Sequence, residues 1–229
     1  MRVPGLLLCL LLLAACGRPL TETERAFAAD IHGPALDTSR VRLVRGAPVE
    51  SYTWRRPVRP RTTCRERIWP ERPAGTLETV TTGAVVLFNR IFYRTDLYAP
   101  DYAPGYPARL YLAEAMMLAH ELTHVWQWQN RARTGYHPLR AAEEHLDSPD
   151  PYLFELESAD FLAYGFEQQG AIVEEYVCCR MLDPEAPRTQ RLHDMLADAF
   201  PVSELDGRLS RAKVILPWKG AQARGICRG

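Results

Sequence analysis

The chain has no surplus of either charge: 28 Lys and Arg stand against 28 Asp and Glu in 229 residues. A nucleic-acid binder shows a basic excess, so that class of partner is not expected. The sequence carries no internal repeat and no low-complexity tract, which removes solenoids and disordered arrays. Beyond the first sixteen residues no apolar run is long enough to cross a bilayer. No Cys-x-x-Cys pair occurs, so a cysteine zinc knuckle is not expected either. What remains is a 47% hydrophobic chain of a length that suits one sizeable globular domain.

The amino terminus reads as a targeting segment. Arg2 is followed by the apolar run Leu6 to Ala15, too short to span a membrane and right for a signal core. It ends in Leu13-Ala14-Ala15-Cys16, which resembles a bacterial lipobox. The resemblance implies a lipoprotein signal peptide at 1–15, lipidation of Cys16, a tether at 16–20 and a single domain at 21–229. Acyl chains, and not a transmembrane helix, would then hold the chain in the cell envelope, facing the periplasm or another extracytoplasmic side.

Export sets the redox context. Past Cys9 and Cys16, four cysteines remain: Cys64, Cys178, Cys179 and Cys227. An even number in an oxidising compartment predicts two disulfides. A bridge between the adjacent Cys178 and Cys179 would strain a helix, so Cys64 and Cys227 are expected to pair with those two, in either order. The Arg-rich run from Arg55 to Arg72, interrupted by Pro57, Pro60 and Pro70, reads as an extended solvated loop. Binding of anionic lipid or glycan is its second reading.

The most specific chemistry lies at His120-Glu121-Leu122-Thr123-His124. Residues four apart share a helix face, with Cβ atoms about 5–6 Å apart. Two imidazoles at that spacing can close on one zinc ion, and the intervening Glu121 is placed to take a proton from water. Leu110 to Asn130, without Gly or Pro and apolar nearly all round before His120, predicts one interior helix. A zinc hydrolase needs a third protein ligand. Glu155, Glu157 and Glu167 are the acidic candidates. Tyr152 to Leu156 alternates like a short strand that turns Glu155 outward. Asp160 to Leu182 reads as a second helix with Glu167 inside it. A carboxylate there is costly unless paired or metal-bound, so Glu167 is the first choice and Glu157 the second.

Elsewhere, Thr21 and Glu24 suit a capping box for a short helix ending before Gly33. Val41 to Val44 suits a strand. Leu77 to Tyr98 suits a hairpin or two adjacent strands around Asn89-Arg90, and Thr189 to Phe200 a helix. The stretch Arg131 to Pro151 reads as a loop whose His137 or His145 could steady an oxyanion. Tyr164 and Tyr176 are further candidates for that role.

The stretches HELTHVWQWQ at 120–129, YLFEL at 152–156 and EQQGAIVEEY at 167–176 resemble a family of bacterial zincin-type metallopeptidases. That family is Vgr-related and linked to phage-like secretion systems. Weaker likeness covers 24–44 and 83–94. The resemblance implies an α+β, zincin-like fold: a small mixed or antiparallel sheet packed on a buried HExxH helix and a second ligand-bearing helix. It implies His120, His124 and Glu167 as ligands of Zn2+, Glu121 as general base, and a peptide or protein substrate bound along the 77–98 segment. It also implies a secretion-system or cell-envelope partner. Related enzymes often place an Asp four residues after the third ligand to orient a metal histidine; here that position is Ala171, and Glu174 is the nearest substitute on the same face. Two rival readings stand beside the peptidase: a non-catalytic zincin-fold accessory with structural zinc, and an amide hydrolase acting on peptidoglycan.

Overall fold

The computed structural model describes residues 17–148, 150–158, 160–200, 202 and 212–228. The leader at 1–15, Cys9 and the lipidation position Cys16 lie outside the described residues. Among the described residues no helix is long and apolar enough to cross a membrane.

Helix α1 spans Glu22–His32. Its start is fixed reciprocally: Glu24 N–H donates to Thr21 Oγ1 at 3.1 Å and Thr21 N–H donates to the Glu24 carboxylate at 2.8 Å, the capping box its sequence suggested. Gly33, at φ 56°, ends it.

Among the described residues there are seven short strands: β1 Arg42–Arg45, β2 Thr53–Pro57, β3 Leu77–Thr81, β4 Ala84–Leu87, β5 Arg90–Tyr93, β6 Arg109–Tyr111 and β7 Lys213–Ile215. The main sheet has the order β1-β5-β4, with β1 parallel and β4 antiparallel to β5. β2 pairs with β3 and β6 with β7 in separate two-stranded ribbons. The 77–98 segment is therefore split. Its first strand leaves to join β2, and only β4 and β5 form a hairpin. The turn falls on Phe88-Asn89, one residue earlier than expected, and Phe88 takes φ 61°. A tight hairpin needs left-handed backbone at that corner, and the Phe88 ring lies 4.7 Å from that of Trp128.

The helices after α1 are α2 Cys64–Arg67, α3 Leu112–Gln129, α4 Arg131–Thr134, α5 Pro138–Asp147, α6 Phe166–Leu182 and α7 Pro187–Ala197. The result is a mixed α+β architecture of small sheets on helices. α3 is the interior helix. It packs along α6 on one side and on β4 and β5 on the other. Leu112, Leu118, Leu122, Val125 and Trp126 along it are fully buried, each contributing about 1.5–3 kcal/mol of apolar burial.

Three local expectations are corrected. Tyr152 to Leu156 is a turn and irregular chain, not a strand; its alternation reflects Phe154 packing inward while Leu153 and Glu155 face solvent. The second long helix begins at Phe166 and not at Asp160, because Gly165 serves as its N-cap after a single 3-10 turn at Phe161–Ala163. The Arg131–Pro151 stretch is not a loop. It holds α4 and the ten-residue α5, which opens with Pro138 at its first turn and His137 Nδ1 accepting from Leu139 N–H, a favoured helix start.

The Arg-rich run is also corrected. It is β2, a turn and α2, strapped to the body by ion pairs. Arg56 and Arg59 both bind Asp150, and Arg56 also binds Glu78. Arg65 binds Glu174, and Arg67 donates to the Ile226 carbonyl. Four Arg side chains spent in this way leave a strap and not a free basic loop. Cys64 bonds to Cys178 and Cys179 to Cys227. Both bridges land on α6, so the strap and the carboxy-terminal segment are covalently fixed to that helix.

Candidate metal centre

α3 and α6 run against each other where Gly170 faces His120. A Cβ built on Gly170 would lie 2.6–2.8 Å from three atoms of the His120 ring, closer than any side chain tolerates. Glycine inside a helix costs about 1 kcal/mol relative to alanine, and here it makes the room in which the imidazole sits. α6 starts without a side-chain cap of its own. Instead Glu144 of α5 accepts from the N–H groups of Phe166 at 2.7 Å and Glu167 at 3.0 Å, and its negative charge suits the positive end of the helix. Gln168 Oε1 accepts from Gly165 N–H at 3.0 Å. The turn that carries Glu167 is thus anchored by another helix.

Three donor atoms converge from these two helices. His120 Nε2 and His124 Nε2 are 3.0 Å apart, and Glu167 Oε2 lies 3.2 Å from the first and 3.3 Å from the second. All three residues are buried. Ligand atoms around a tetrahedral zinc with bonds of 2.0–2.1 Å stand about 3.3 Å from one another, so the triangle fits such an ion. Charge points the same way. Burial works against the His124 imidazolium, but the Glu167 carboxylate beside it outweighs that and raises its pKa to about 9. Glu167 is itself desolvated, yet the neighbouring histidines hold it well below the usual carboxylate range. The pocket thus favours positive charge, which a divalent cation would supply.

The surrounding shell differs for the two histidines. His124 Nδ1 meets Gln127 Oε1 at 2.8 Å. Gln127 donates onward to Gln169 Oε1 at 2.9 Å, and Gln169 to the Tyr164 carbonyl at 2.7 Å. His120 Nδ1 makes no hydrogen bond; its nearest acceptor is Glu174 Oε1 at 3.6 Å, whose other oxygen accepts from Arg65 at 2.5 Å. His145, at the rim, faces Glu167 Oε1 at 3.1 Å, and that hydrogen bond raises its pKa.

Glu121 is buried, and desolvation raises its carboxyl above the ordinary value. With the three converging residues it lines a cavity of about 520 Å³. β4, Tyr136, His145 and Tyr152 share that lining. Tyr136 is buried and its ring lies 6.2 Å from that of His124; desolvation keeps its phenol protonated.

The other sequence candidates fall elsewhere. Glu155 and Glu157 are exposed and outside the cluster. His137 caps α5. Tyr164 braces its own loop through the Glu155 and Ser158 carbonyls, and Tyr176 is core. Cys64, Cys179 and Cys227 also lie close together, but as disulfide sulfurs. Tyr136, Glu144 and Gly170 have no part in the sequence expectations. The Pro138 start and the spacing of Leu139, Ala142 and Leu146 were the available signals for the helix that brings Glu144 in.

Fold and site together define an α+β protein with a buried two-histidine, one-carboxylate cluster open to a cleft. No family model matches the chain, and no curated protein matches it. Among solved structures it is similar to the effector domain of Pseudomonas aeruginosa VgrG2b, with 23% identity over 82% of this chain and 86% of that one and a TM-score of 0.48.

Proposed function

We propose that this chain is a zincin-type zinc metallopeptidase, lipid-anchored at Cys16 in the cell envelope, which hydrolyses peptide bonds in protein or peptide substrates. The observation that carries the reading is the arrangement of Glu121. A structural zinc site closes its coordination with protein ligands. Here the His120–His124–Glu167 triangle faces a cavity, and a desolvated carboxylate stands beside it in the same lining. Two disulfides suit an oxidising, extracytoplasmic compartment.

His120, His124 and Glu167 would hold the ion. When bound, zinc supplies Lewis acidity that acidifies water toward a pKa of about 7 and polarises a carbonyl. Glu121 takes a proton from the attacking water and returns it to the amine nitrogen as the C–N bond breaks. Its raised pKa brings proton affinity closer to that task. Tyr136 and His145 are the donors available to the carbonyl oxygen as it gains charge.

β4 supplies the substrate shelf. Among the described residues it pairs on one side only, with β5. Arg94 N–H donates to the Gly83 carbonyl at 2.8 Å. Antiparallel alternation from that pair turns the backbone groups of Ala84 and Val86 away from β5, toward an added strand.

The test is Glu121→Gln. The variant is expected to keep the parent's zinc stoichiometry by metal analysis and to lose cleavage of an unfolded protein by about 10²–10⁴-fold. Parental cleavage by a zinc-loaded Glu121→Gln protein would remove Glu121 from the mechanism.

A further inference from the structure

The cavity beside the cluster is lined in large part by apolar side chains: Val49 and Tyr52 from the β1–β2 connection, Trp54 from β2, Leu87 from β4, and Leu139 and Ala142 from α5. Four of these residues are exposed, Val49 by 42%, Tyr52 by 63%, Leu139 by 68%, and Ala142, so core packing does not account for them. The Tyr52 and Trp54 rings stack with centroids 5.9 Å apart, forming an aromatic wall at the mouth. Clustered apolar exposure beside a cleft marks a binding surface.

The arginines in the lining are already matched. Arg56 is bound by Asp150 and Glu78, and Arg59 by Asp150 and Glu66. A charged substrate side chain placed against the apolar residues would lose water and gain no partner. At about 520 Å³, the cavity has room for a bulky side chain together with the backbone on either side of it.

We infer that this chamber is a specificity pocket for a large apolar side chain next to the bond that is cut. The substrate is then an unfolded or extended polypeptide segment carrying Leu, Phe, Met or Trp, and not a cell-wall stem peptide, whose side chains are small or charged. This inference rests on the peptidase reading, and it selects among the substrates that reading leaves open.

The experiment uses the full chain loaded with zinc. Internally quenched peptides differ only in the residues flanking the central bond, which are Phe, Leu, Ala, Asp or Lys; purified sacculi are assayed in parallel. The Phe and Leu peptides should be cut with kcat/KM about ten- to a hundredfold above the others, and sacculi should release no soluble fragments. Leu139→Glu, on an exposed position, and Ala142→Trp, which fills the mouth, should each abolish that preference while zinc content stays parental. Rates equal across the peptide set, a preference for Ala or Asp, or soluble fragments from sacculi would overturn the assignment.

If the parent cuts no peptide, the hydrolase reading fails, and binding then decides the pocket separately. Fluorescence anisotropy of labelled peptides on Glu121→Gln should give a Kd for the Phe peptide at least about tenfold below that for the Asp peptide. Equal values would end the pocket assignment whatever the catalytic outcome.

Discussion

His124 turns its Nδ1 to a file of neutral amides, Gln127 and then Gln169, that ends on the Tyr164 carbonyl, whereas His120 turns its Nδ1 toward Glu174, a carboxylate shared with Arg65. The first arm is closed by short hydrogen bonds between α3 and the first turn of α6. The second runs through a charge pair to the strap, and from the strap through Cys64–Cys178 back to α6. Two candidate ligands one helical turn apart therefore depend on different parts of the molecule. The amide arm forms whenever the two helices dock. The charged arm also needs the strap, and so needs an oxidised disulfide.

The largest effect that separates the arms is expected from Gly170→Ala. The nearest atoms the added Cβ would meet belong to the His120 ring, at 2.6–2.8 Å. Zinc affinity, measured by competition with a chromophoric chelator, should fall by about a hundredfold or more, as expected when a ligand and its support move together. The thermal midpoint of the metal-free protein should fall modestly, since overpacking a buried contact costs about 1–3 kcal/mol against the about 1 kcal/mol that alanine gains in a helix interior. A variant that binds zinc like the parent would show that His120 has slack the structure does not suggest.

Next in size is the direct contest between the arms. Glu174→Gln removes the charge facing His120, and Gln127→Leu removes the amide facing His124. Outer partners of metal-bound histidines are worth about 10- to 100-fold in affinity; Glu174 makes no hydrogen bond to His120 but stands 3.6 Å from it, and a full buried charge at that distance acts more strongly than a neutral amide dipole. Glu174→Gln should therefore lie near the top of that range and Gln127→Leu near the bottom, in the same chelator assay. The reverse order would mean that the closed geometry of the amide file outweighs the charge of the other arm.

A third, mixed effect follows from Cys64→Ser combined with Cys178→Ser. The bridge closes a sequence separation of 114 residues, and loss of a native disulfide costs about 2–5 kcal/mol of stability by urea unfolding. Zinc affinity should drop about tenfold through the freed Arg65–Glu174 pair, and Glu174→Gln in this background should add little. Full additivity of the two changes would show that the strap does not act through Glu174.

These differences track what the sequence could and could not disclose. His120, Glu121 and His124 were legible because helical spacing is a local property. Glu167 was legible as a carboxylate in a packed helix, and Thr21 with Glu24 as a cap. Counting cysteines and noting that two are adjacent narrowed the disulfides to two patterns; the order, Cys64 with Cys178, depends on where the strap crosses α6. Glu174 was visible as a residue on the right face, but its burial depended on Arg65 arriving from 109 positions away. Glu144 was hidden because its helix was read as a loop rich in Gly, Pro and His. Gly170 gave no sign, since the need for a missing Cβ exists only when another helix lies against it. The Arg-rich run misled because its acidic partners are scattered over Glu66, Glu78, Asp150 and Glu174.

The smallest effect probes the α3 side, which has a weak point of its own. His32 of α1 is fully buried, with Nε2 3.1 Å from Thr123 Oγ1 between the two ligand histidines and its ring 4.9 Å from that of Phe200. Burial lowers its pKa from 6.5 to about 3. Between those values the unfolded chain takes up a proton that the folded one refuses. Stability is therefore intact above pH 6.5 and falls as pH drops through the window, at up to about 1.4 kcal/mol per unit. At pH 5 that amounts to about 2 kcal/mol. His32→Gln, neutral at every pH and able to hydrogen-bond Thr123, should flatten the acid limb of a urea-unfolding series between pH 6.5 and 4, whatever its stability at pH 7. An unchanged slope would mean that His32 already carries its proton in the fold. The amide arm would then rest beside a buried charge, and the contrast with His120 would lose its meaning.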